Sequence, residues 1–122
     1  MKRDWDLIRD VLVEVEALDT HTRGKQQYES RYGQPKETDA EAEQALLLCK
    51  AGFIRAIDAG SKDGPALISP ELTWQGHELL DTMRSKPVWE RVKKMAKDKG
   101  LELTFDAVKL LAAAALSAVV GS

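Results

Sequence analysis

Hydrophobic residues recur at helical spacing in residues 4–18, and charged residues fill the positions between them. This pattern predicts an amphipathic helix with Asp4 as its N-cap. A second helix is predicted to start at Thr38, which with Glu41 has the spacing of a capping box. Gly52 is predicted to end that helix in the left-handed conformation.

Two short segments with strand propensity follow, at 52–59 and 66–72. The residues between them include Asp63-Gly64, a pair that tolerates positive φ, so the region predicts a β-hairpin. A third helix is predicted after Thr73. Gly76 lies on its apolar side, which predicts a close approach of another backbone segment.

The last third of the chain predicts two more helices. One starts at Ser85 and Pro87 and ends at Gly100. The other follows Thr104 and covers residues 105–120, which are apolar on nearly all sides. The large side chains expected in the core are Trp5, Phe53, Trp74 and Trp89.

The predicted elements follow the order of a winged-helix domain: a helix, a polar segment, a helix, a hairpin and a helix. The fold class predicted is therefore mainly α with a small β-hairpin. Residues 1–84 are expected to form the winged-helix domain, with a variable polar segment at 19–37. Residues 85–122 are expected to form a C-terminal helical extension within the same compact unit.

Charge and composition narrow the function classes. The net charge of −2 argues against a general affinity for nucleic acid or membranes. Residues 85–122 nevertheless carry 7 basic and 4 acidic side chains, so any surface that binds polyanions is expected there. The lone Cys49, the lack of a signal-like start and an apolar end too short for a bilayer predict a cytoplasmic protein without a membrane partner.

No catalytic or ligand-binding pattern is recognisable in the sequence. The two histidines, His21 and His77, lack neighbouring ligands at metal-site spacing, and His77 is expected to be a buried or half-buried structural residue. Cys49 lies on an apolar helix face and is expected to act as a small hydrophobic residue. We therefore expect a protein that is not an enzyme and that needs no cofactor or metal.

Several motifs together resemble a known family. They are Met-Lys-Arg-Asp-x-Asp-Leu-Ile-Arg at 1–9, Ala-Gly-Phe-Ile at 51–54, and Leu-Thr-Trp-x-Gly-His at 72–77. In these the chain resembles an uncharacterised family of small phage and prophage proteins, catalogued as a domain of unknown function. The resemblance implies a phage or prophage origin and no particular chemistry.

The helix before the predicted wing would be the one to read DNA in a winged helix. Its first turns carry Asp39, Glu41 and Glu43, which would repel phosphates. The sequence therefore favours a non-enzymatic protein-interaction module that binds a host or phage protein. Interference with a host process is one such role, and it would place the protein in the host cytoplasm.

The predicted contacts lie in the last helix and in the polar segment. The polar segment is expected either to be mobile or to contain a short element near residues 26–32, which would place two tyrosines on one helical face. The last helix would form a symmetric homodimer, the alternatives being internal packing or a groove on a host protein. The contact residues predicted are Tyr28, Tyr32, Leu111, Ala115, Leu116 and Val119.

The second hypothesis is a dimeric winged-helix DNA-binding transcriptional regulator. Basic residues of the wing and of the fourth helix would contact the phosphates. A solvated lysine face is the simpler interpretation of the same residues. The candidates are Arg55, Lys62, Arg91, Lys94 and Lys97.

Overall fold

A computed structural model describes residues 3–19, 21–22, 24, 27–29, 36–60, 64 and 66–120. Within these residues the protein is mainly helical with a small antiparallel sheet, so the prediction is confirmed at that level. The elements are α1 (Trp5–Glu16), β1 (Gln27–Glu29), α2 (Lys36–Lys50), β2 (Ile54–Asp58), β3 (Ala66–Leu72), α3 (Trp74–Met83), α4 (Lys86–Asp98) and α5 (Phe105–Val120).

The chain divides into two compact units, Met1–His77 and Glu78–Ser122. This division lies inside α3, whereas the sequence predicts a boundary after residue 84. The first turn of α3 belongs to the first unit because hydrogen bonds and close backbone contact tie it to the residue before β2.

Helix α1 forms as its hydrophobic spacing predicts. The Asp4 side chain accepts a hydrogen bond from the Leu7 amide at 3.2 Å, which caps the helix. Its apolar face packs against α2 in the first unit. The buried residues of that face are Ile8, Val11, Leu12 and Val15.

Helix α2 begins at Lys36, so the prediction that Thr38 caps it is wrong: Thr38 lies inside the helix. The predicted end is confirmed. Gly52 has a φ of 87°, and the Phe53 amide donates to the Leu48 carbonyl at 2.9 Å. This hydrogen bond satisfies a carbonyl that the end of the helix would otherwise leave without a partner.

The sheet has the strand order β1-β3-β2, with both pairings antiparallel. The predicted hairpin corresponds to β2 and β3, and β1 adds a third strand on the other edge of β3. Tyr28 pairs with Leu67 and is only 4% exposed. The prediction of a helical face for Tyr28 and Tyr32 is therefore wrong at Tyr28. The alternation of polar Gln27, aromatic Tyr28 and polar Glu29 has the two-residue period of a strand.

A bulge interrupts the pairing of β2 with β3. The register changes between Arg55 and Ile57, and the extra residue lies in β3. Ser69 at this point has a φ of 53°, which is rare for a residue with a side chain. The bulge also accounts for Pro70 in a central strand, since proline is tolerated where the ladder is already broken.

The start of α3 is held against the backbone that precedes β2. The Thr73 hydroxyl accepts from the Gly76 amide at 3.1 Å, as predicted for a cap, and donates to the Gly52 carbonyl at 2.6 Å. A Cβ on Gly76 would overlap the Phe53 carbonyl. The close backbone approach predicted from Gly76 is confirmed.

In the second unit, α4 packs against α5. The Thr104 hydroxyl caps α5 by accepting from the Ala107 amide at 3.1 Å, as predicted. The buried residues of the two helices are Val88, Trp89, Val92, Ala96, Val108, Leu111, Ala112 and Ala115.

The core prediction is correct for Trp89 and wrong for Trp74. Trp89 is 1% exposed, whereas Trp74 is 76% exposed. Trp74 is the first residue of α3 and lies on the side opposite Gly76, two residues later, which packs inward. Trp5 and Phe53 are half-buried rather than fully enclosed.

Candidate functional site

Three of the six partner contacts predicted from the sequence are buried. Tyr28, Leu111 and Ala115 are 4%, 6% and 0% exposed, so the expectation that they are surface residues is wrong. Helix α4 covers the face of α5 that carries Leu111 and Ala115. Tyr32 lies outside the described residues, as do the side chains of Leu116 and Val119, which belong to α5.

A different face of α5 is exposed. Leu110 is 73% exposed, and Ala113 and Ala114, three and four positions later, are exposed beside it. A cleft of about 320 Å³ in the second unit adjoins this face. We call it the α5 cleft; it is lined by Asp81, Thr82, Ser85, Val88, Lys109, Ala112 and Ala113.

The beginning of α2 carries concentrated negative charge. Asp39, Glu41 and Glu43 are all half-buried there. The pKa of Glu41 is raised to about 7, first by burial, then by a hydrogen bond with the Glu14 carboxyl and by the charges of Glu14 and Asp10. Carboxyl groups from α1 and α2 therefore meet at this surface. Further negative charge, such as a phosphate, would be repelled here.

The four basic candidates that the structure describes are surface residues. Arg55 pairs with Glu71 across β2 and β3 at 3.8 Å, so its charge is partly offset within the sheet. Arg91, Lys94 and Lys97 follow one another at three-residue spacing on α4 and are exposed. Arg55 belongs to the first unit and the α4 stripe to the second, while Lys62 lies outside the described residues.

A second cleft, in the first unit, was not predicted. Its volume is about 220 Å³, and it lies at the C-terminal end of α1. We call it the acidic cleft; it is lined by Val15, Glu16, Leu18, Asp19, Pro70, Glu71, Leu72 and His77. Helix α1 and strand β3 thus contribute carboxylates around an apolar floor.

An ion pair and a set of hydrogen bonds are defined at the acidic cleft. Glu16 Oε2 lies 3.9 Å from His77 Nδ1. The pKa of Asp19 is lowered by hydrogen bonds to its carboxylate from the Thr22 and His21 amides and from the Thr22 hydroxyl. Asp19 is thus held in its ionised form at the end of α1.

His77 is exposed, so the expectation of a buried or half-buried structural histidine is wrong. It lies one residue beyond inward-facing Gly76, but at that position the helix surface has already turned toward the cleft. The sequence did contain one signal of the acidic cleft: Glu16 lies near the end of the predicted helix and Asp19 follows it, where basic residues are favoured. The contribution of Glu71 depends on the tertiary structure.

Two further observations concern ligands and membranes. In the part of the chain that the structure describes, no group of three His, Cys, Asp or Glu residues is arranged to hold a metal ion. Cys49 is half-buried. Among the same described residues, no helix has the length and apolar character to span a bilayer.

Comparison with known proteins adds family information. A family model described as "Hypothetical protein (DUF2513)" matches residues 2–102. An "Uncharacterized protein" of Haemophilus influenzae is 42% identical over 117 residues, which cover 96% of this chain and 97% of that protein. No solved structure matches the chain significantly. Neither description states an activity, and α5 lies beyond the residues matched by the family model.

Proposed function

This chain belongs to the DUF2513 family of hypothetical proteins, and we propose that it is a non-enzymatic protein-interaction module of phage or prophage origin. The predicted resemblance to an uncharacterised family is thereby confirmed. The phage origin is part of the proposal. In this role the protein acts in the host cytoplasm, binds a host or phage protein, and interferes with a host process.

The scaffold proposed for this module is a winged helix. The order α1-β1-α2-β2-β3-α3 and the sheet order β1-β3-β2 support it. In this arrangement, α2 is the helix that precedes the wing and would face a nucleic-acid groove.

The observation that carries the proposal is the charge of α2. Asp39, Glu41 and Glu43 occupy its early turns, and burial, followed by the neighbouring carboxyl groups of Glu14 and Asp10, raises the pKa of Glu41. A DNA-binding surface needs cations that release counterions from the phosphates. The acidic α2 is unsuited to that task, so the scaffold is better suited to protein contact.

The exposed face of α5 supports a homodimer as part of the proposal. Leu110, Ala113 and Ala114 leave apolar surface on a helix whose other face is already packed against α4. An isologous pairing of two copies would cover the exposed face of α5 in each copy. Leu110 replaces Leu111 and Ala115 as the central contact because the latter two are buried in the protomer.

A salt titration with mixed-sequence duplex DNA tests the interaction role. We expect no measurable fluorescence anisotropy change at physiological salt. Tight binding that weakens steeply with salt would contradict the proposal, because that behaviour reports phosphate neutralisation. Affinity capture from host lysate, followed by mass identification, would then name the partner.

A dimeric DNA-binding transcriptional regulator is the alternative, supported by the exposed stripe of Arg91, Lys94 and Lys97 on α4. Replacing all three with glutamine would lower the salt dependence of duplex binding if that stripe contacts phosphates. The control replaces Lys93 with glutamine, since Lys93 is more buried and pairs with Glu90 at 3.2 Å. It should leave the salt dependence of duplex binding unchanged.

A further inference from the structure

Strand β2 forms one edge of the sheet. It pairs with β3 alone, and within the described residues no strand lies on its other side. The Ala59 amide donates to the Ala66 carbonyl at 2.8 Å, which sets the alternation of backbone groups along β2. The amide and carbonyl of Ile57 therefore face β3, whereas those of Ala56 and Asp58 face away from it. An extended chain on that side would complete their hydrogen bonds.

The side chains along this edge are open to solvent. Ile57 is 58% exposed, and Arg55 and Asp58 are exposed on either side of it. Edge strands are usually protected by charged side chains, proline or a covering element, so an exposed isoleucine is unusual there. A cleft of about 190 Å³ adjoins Ile57. We call it the edge cleft; it is lined by Arg55, Ala56, Ile57, Ser69 and Glu71.

We propose that β2 (Ile54–Asp58) binds an extended segment of a partner protein as an additional antiparallel strand. The backbone of the segment bonds to Ala56 and Asp58, and one of its aliphatic side chains packs on Ile57 at the edge cleft. Strand addition of this kind takes its affinity from the main chain and its specificity from alternate side chains. This inference rests on the proposed interaction role and adds the conformation and chemistry of the partner.

The charges of β2 specify the sequence of the segment. Opposite charges stabilise an antiparallel pair when they lie directly across from each other. The segment therefore carries a basic residue opposite Asp58 and, three positions later, an acid opposite Arg55. The residue after the base faces Ile57 and is β-branched, which suits a strand.

Both charged groups retain capacity for the segment. The Gly60 amide donates to Oδ1 of Asp58 at 2.8 Å, which leaves Oδ2 for the added base. The Arg55–Glu71 pair is 3.8 Å long and exposed. A guanidinium has five N–H donors, so Arg55 can keep this pair and also donate to the added acid.

A second copy of β2 does not supply this pattern. Two copies joined edge to edge would form one sheet with a two-fold axis perpendicular to it. Opposite residues would then have numbers with an even sum, because side chains across from each other lie on the same face. Arg55 and Asp58 are three positions apart, so they cannot face each other in such a dimer. The charges of β2 therefore select a different chain.

The test is an NMR titration of the full-length protein with the peptide acetyl-Thr-Lys-Val-Thr-Glu-Thr-amide. We expect saturable amide shifts centred on residues 54–58. Hydrogen exchange of the Ala56 and Asp58 amides should slow at saturation. The Arg55 and Ile57 amides face β3 already, so their exchange should change little. This alternation distinguishes strand addition from contact through side chains alone.

Matched peptides test the charges and the backbone separately. Exchanging the lysine and the glutamate keeps the composition but places like charges across from each other, and should weaken binding about fivefold. N-methylation of the second threonine removes the donor to the Ala56 carbonyl and should also weaken binding about fivefold. N-methylation of the valine, whose amide faces away from β2, should leave the affinity unchanged.

Variants of the protein make the same distinctions. Ala56→Pro removes an amide that faces away from β3, a position where an edge strand tolerates proline, and should weaken binding about fivefold. Arg55→Gln with Asp58→Asn should make the original and the charge-exchanged peptides bind equally. Asp98→Asn with Lys99→Gln removes one acid and one base from exposed positions of the second unit, and should retain the preference.

The proposal is overturned if the Ala56 and Asp58 amides gain no protection, if the parent protein binds the charge-exchanged peptide equally, or if the two N-methyl peptides bind alike. Unchanged affinity of a folded Ala56→Pro variant would also reject it. If that variant fails to fold, the N-methyl peptides make the same comparison on the parent protein. A failed peptide titration with no duplex binding rejects the strand site alone, whereas salt-dependent duplex binding rejects the interaction role itself.

Discussion

The carbonyl oxygen of Phe53 occupies the space in which a side chain on Gly76 would lie. The same carbonyl accepts a hydrogen bond from the Thr73 amide at 3.1 Å. The Thr73 hydroxyl, whose single proton is shared with the nearer Gly52 carbonyl at 2.6 Å, also lies 3.1 Å from it. The first turn of α3 can pack against the residue before β2 only because position 76 has no Cβ.

We expect Gly76→Ala to destabilise the fold by about 3 kcal/mol, at the upper end of overpacking penalties. The intrinsic helix preference for alanine, about 1 kcal/mol over glycine, is too small to compensate. Chemical denaturation would measure the change. Gly24→Ala is the control, since the nearest atom to its Cβ would be the Ser69 Oγ at 4.0 Å. Equal stability of both variants would contradict the close contact.

Ser69 offers a stabilising substitution. Its φ of 53° lies in the left-handed region, where a side chain costs of order 1 kcal/mol. Ser69→Gly should therefore raise the free energy of unfolding by up to about 1 kcal/mol, less the added entropy of a glycine in the unfolded chain. Thermal unfolding would detect it. Ser85→Gly, at a helix N-cap with φ of −75°, should give no such gain. A loss of stability in Ser69→Gly would show that the bulge needs the side chain.

Glu41 predicts a pH dependence of stability. Its pKa is about 7 in the folded protein against 4.5 for the free group, so the unfolded chain releases this proton first. The contribution of protonated Glu41 is complete below pH 4.5 and is lost as the pH rises through 7. After allowance for solvent screening, we expect it to be about 1 kcal/mol.

Denaturation at several pH values would compare the parent protein with Glu41→Gln. In the variant, the free energy of unfolding should no longer fall as the pH rises through 7. The variant should therefore be the more stable protein above neutral pH. Glu43→Gln, two residues along α2, removes the same charge and should retain the decline. If the free energy of unfolding falls equally with pH in Glu41→Gln, other titratable groups cause the pH dependence.

The proposed dimer predicts a specific effect of Leu110. Leu110→Lys places a charge on the exposed apolar face of α5 and should convert dimers to monomers, as measured by light scattering or sedimentation. Leu101→Lys changes another exposed leucine of the second unit, 50% exposed against 73%, and should leave the assembly state unaltered. A monomeric parent protein, or a dimeric Leu110→Lys variant, would reject this interface.

Local sequence signals determined most of the secondary structure. The spacing of Ile8, Val11 and Leu12 specifies α1, and Gly52 closes α2 because only glycine takes its left-handed conformation without strain. Thr104, the N-cap, directly precedes the first residue of α5. These features depend on neighbours within one or two helical turns, so the linear sequence contains the information.

Tertiary packing decided which faces are exposed. Helix α5 is apolar all round, so its sequence could not show that α4 would cover Leu111 and leave Leu110 open. Tyr28 is a buried strand residue because β1 pairs with β3. The acidic cleft likewise requires Glu71 of β3 to meet the end of α1. Such contacts join residues far apart in the chain, and the free energy of burying them depends on partners that local periodicity does not identify.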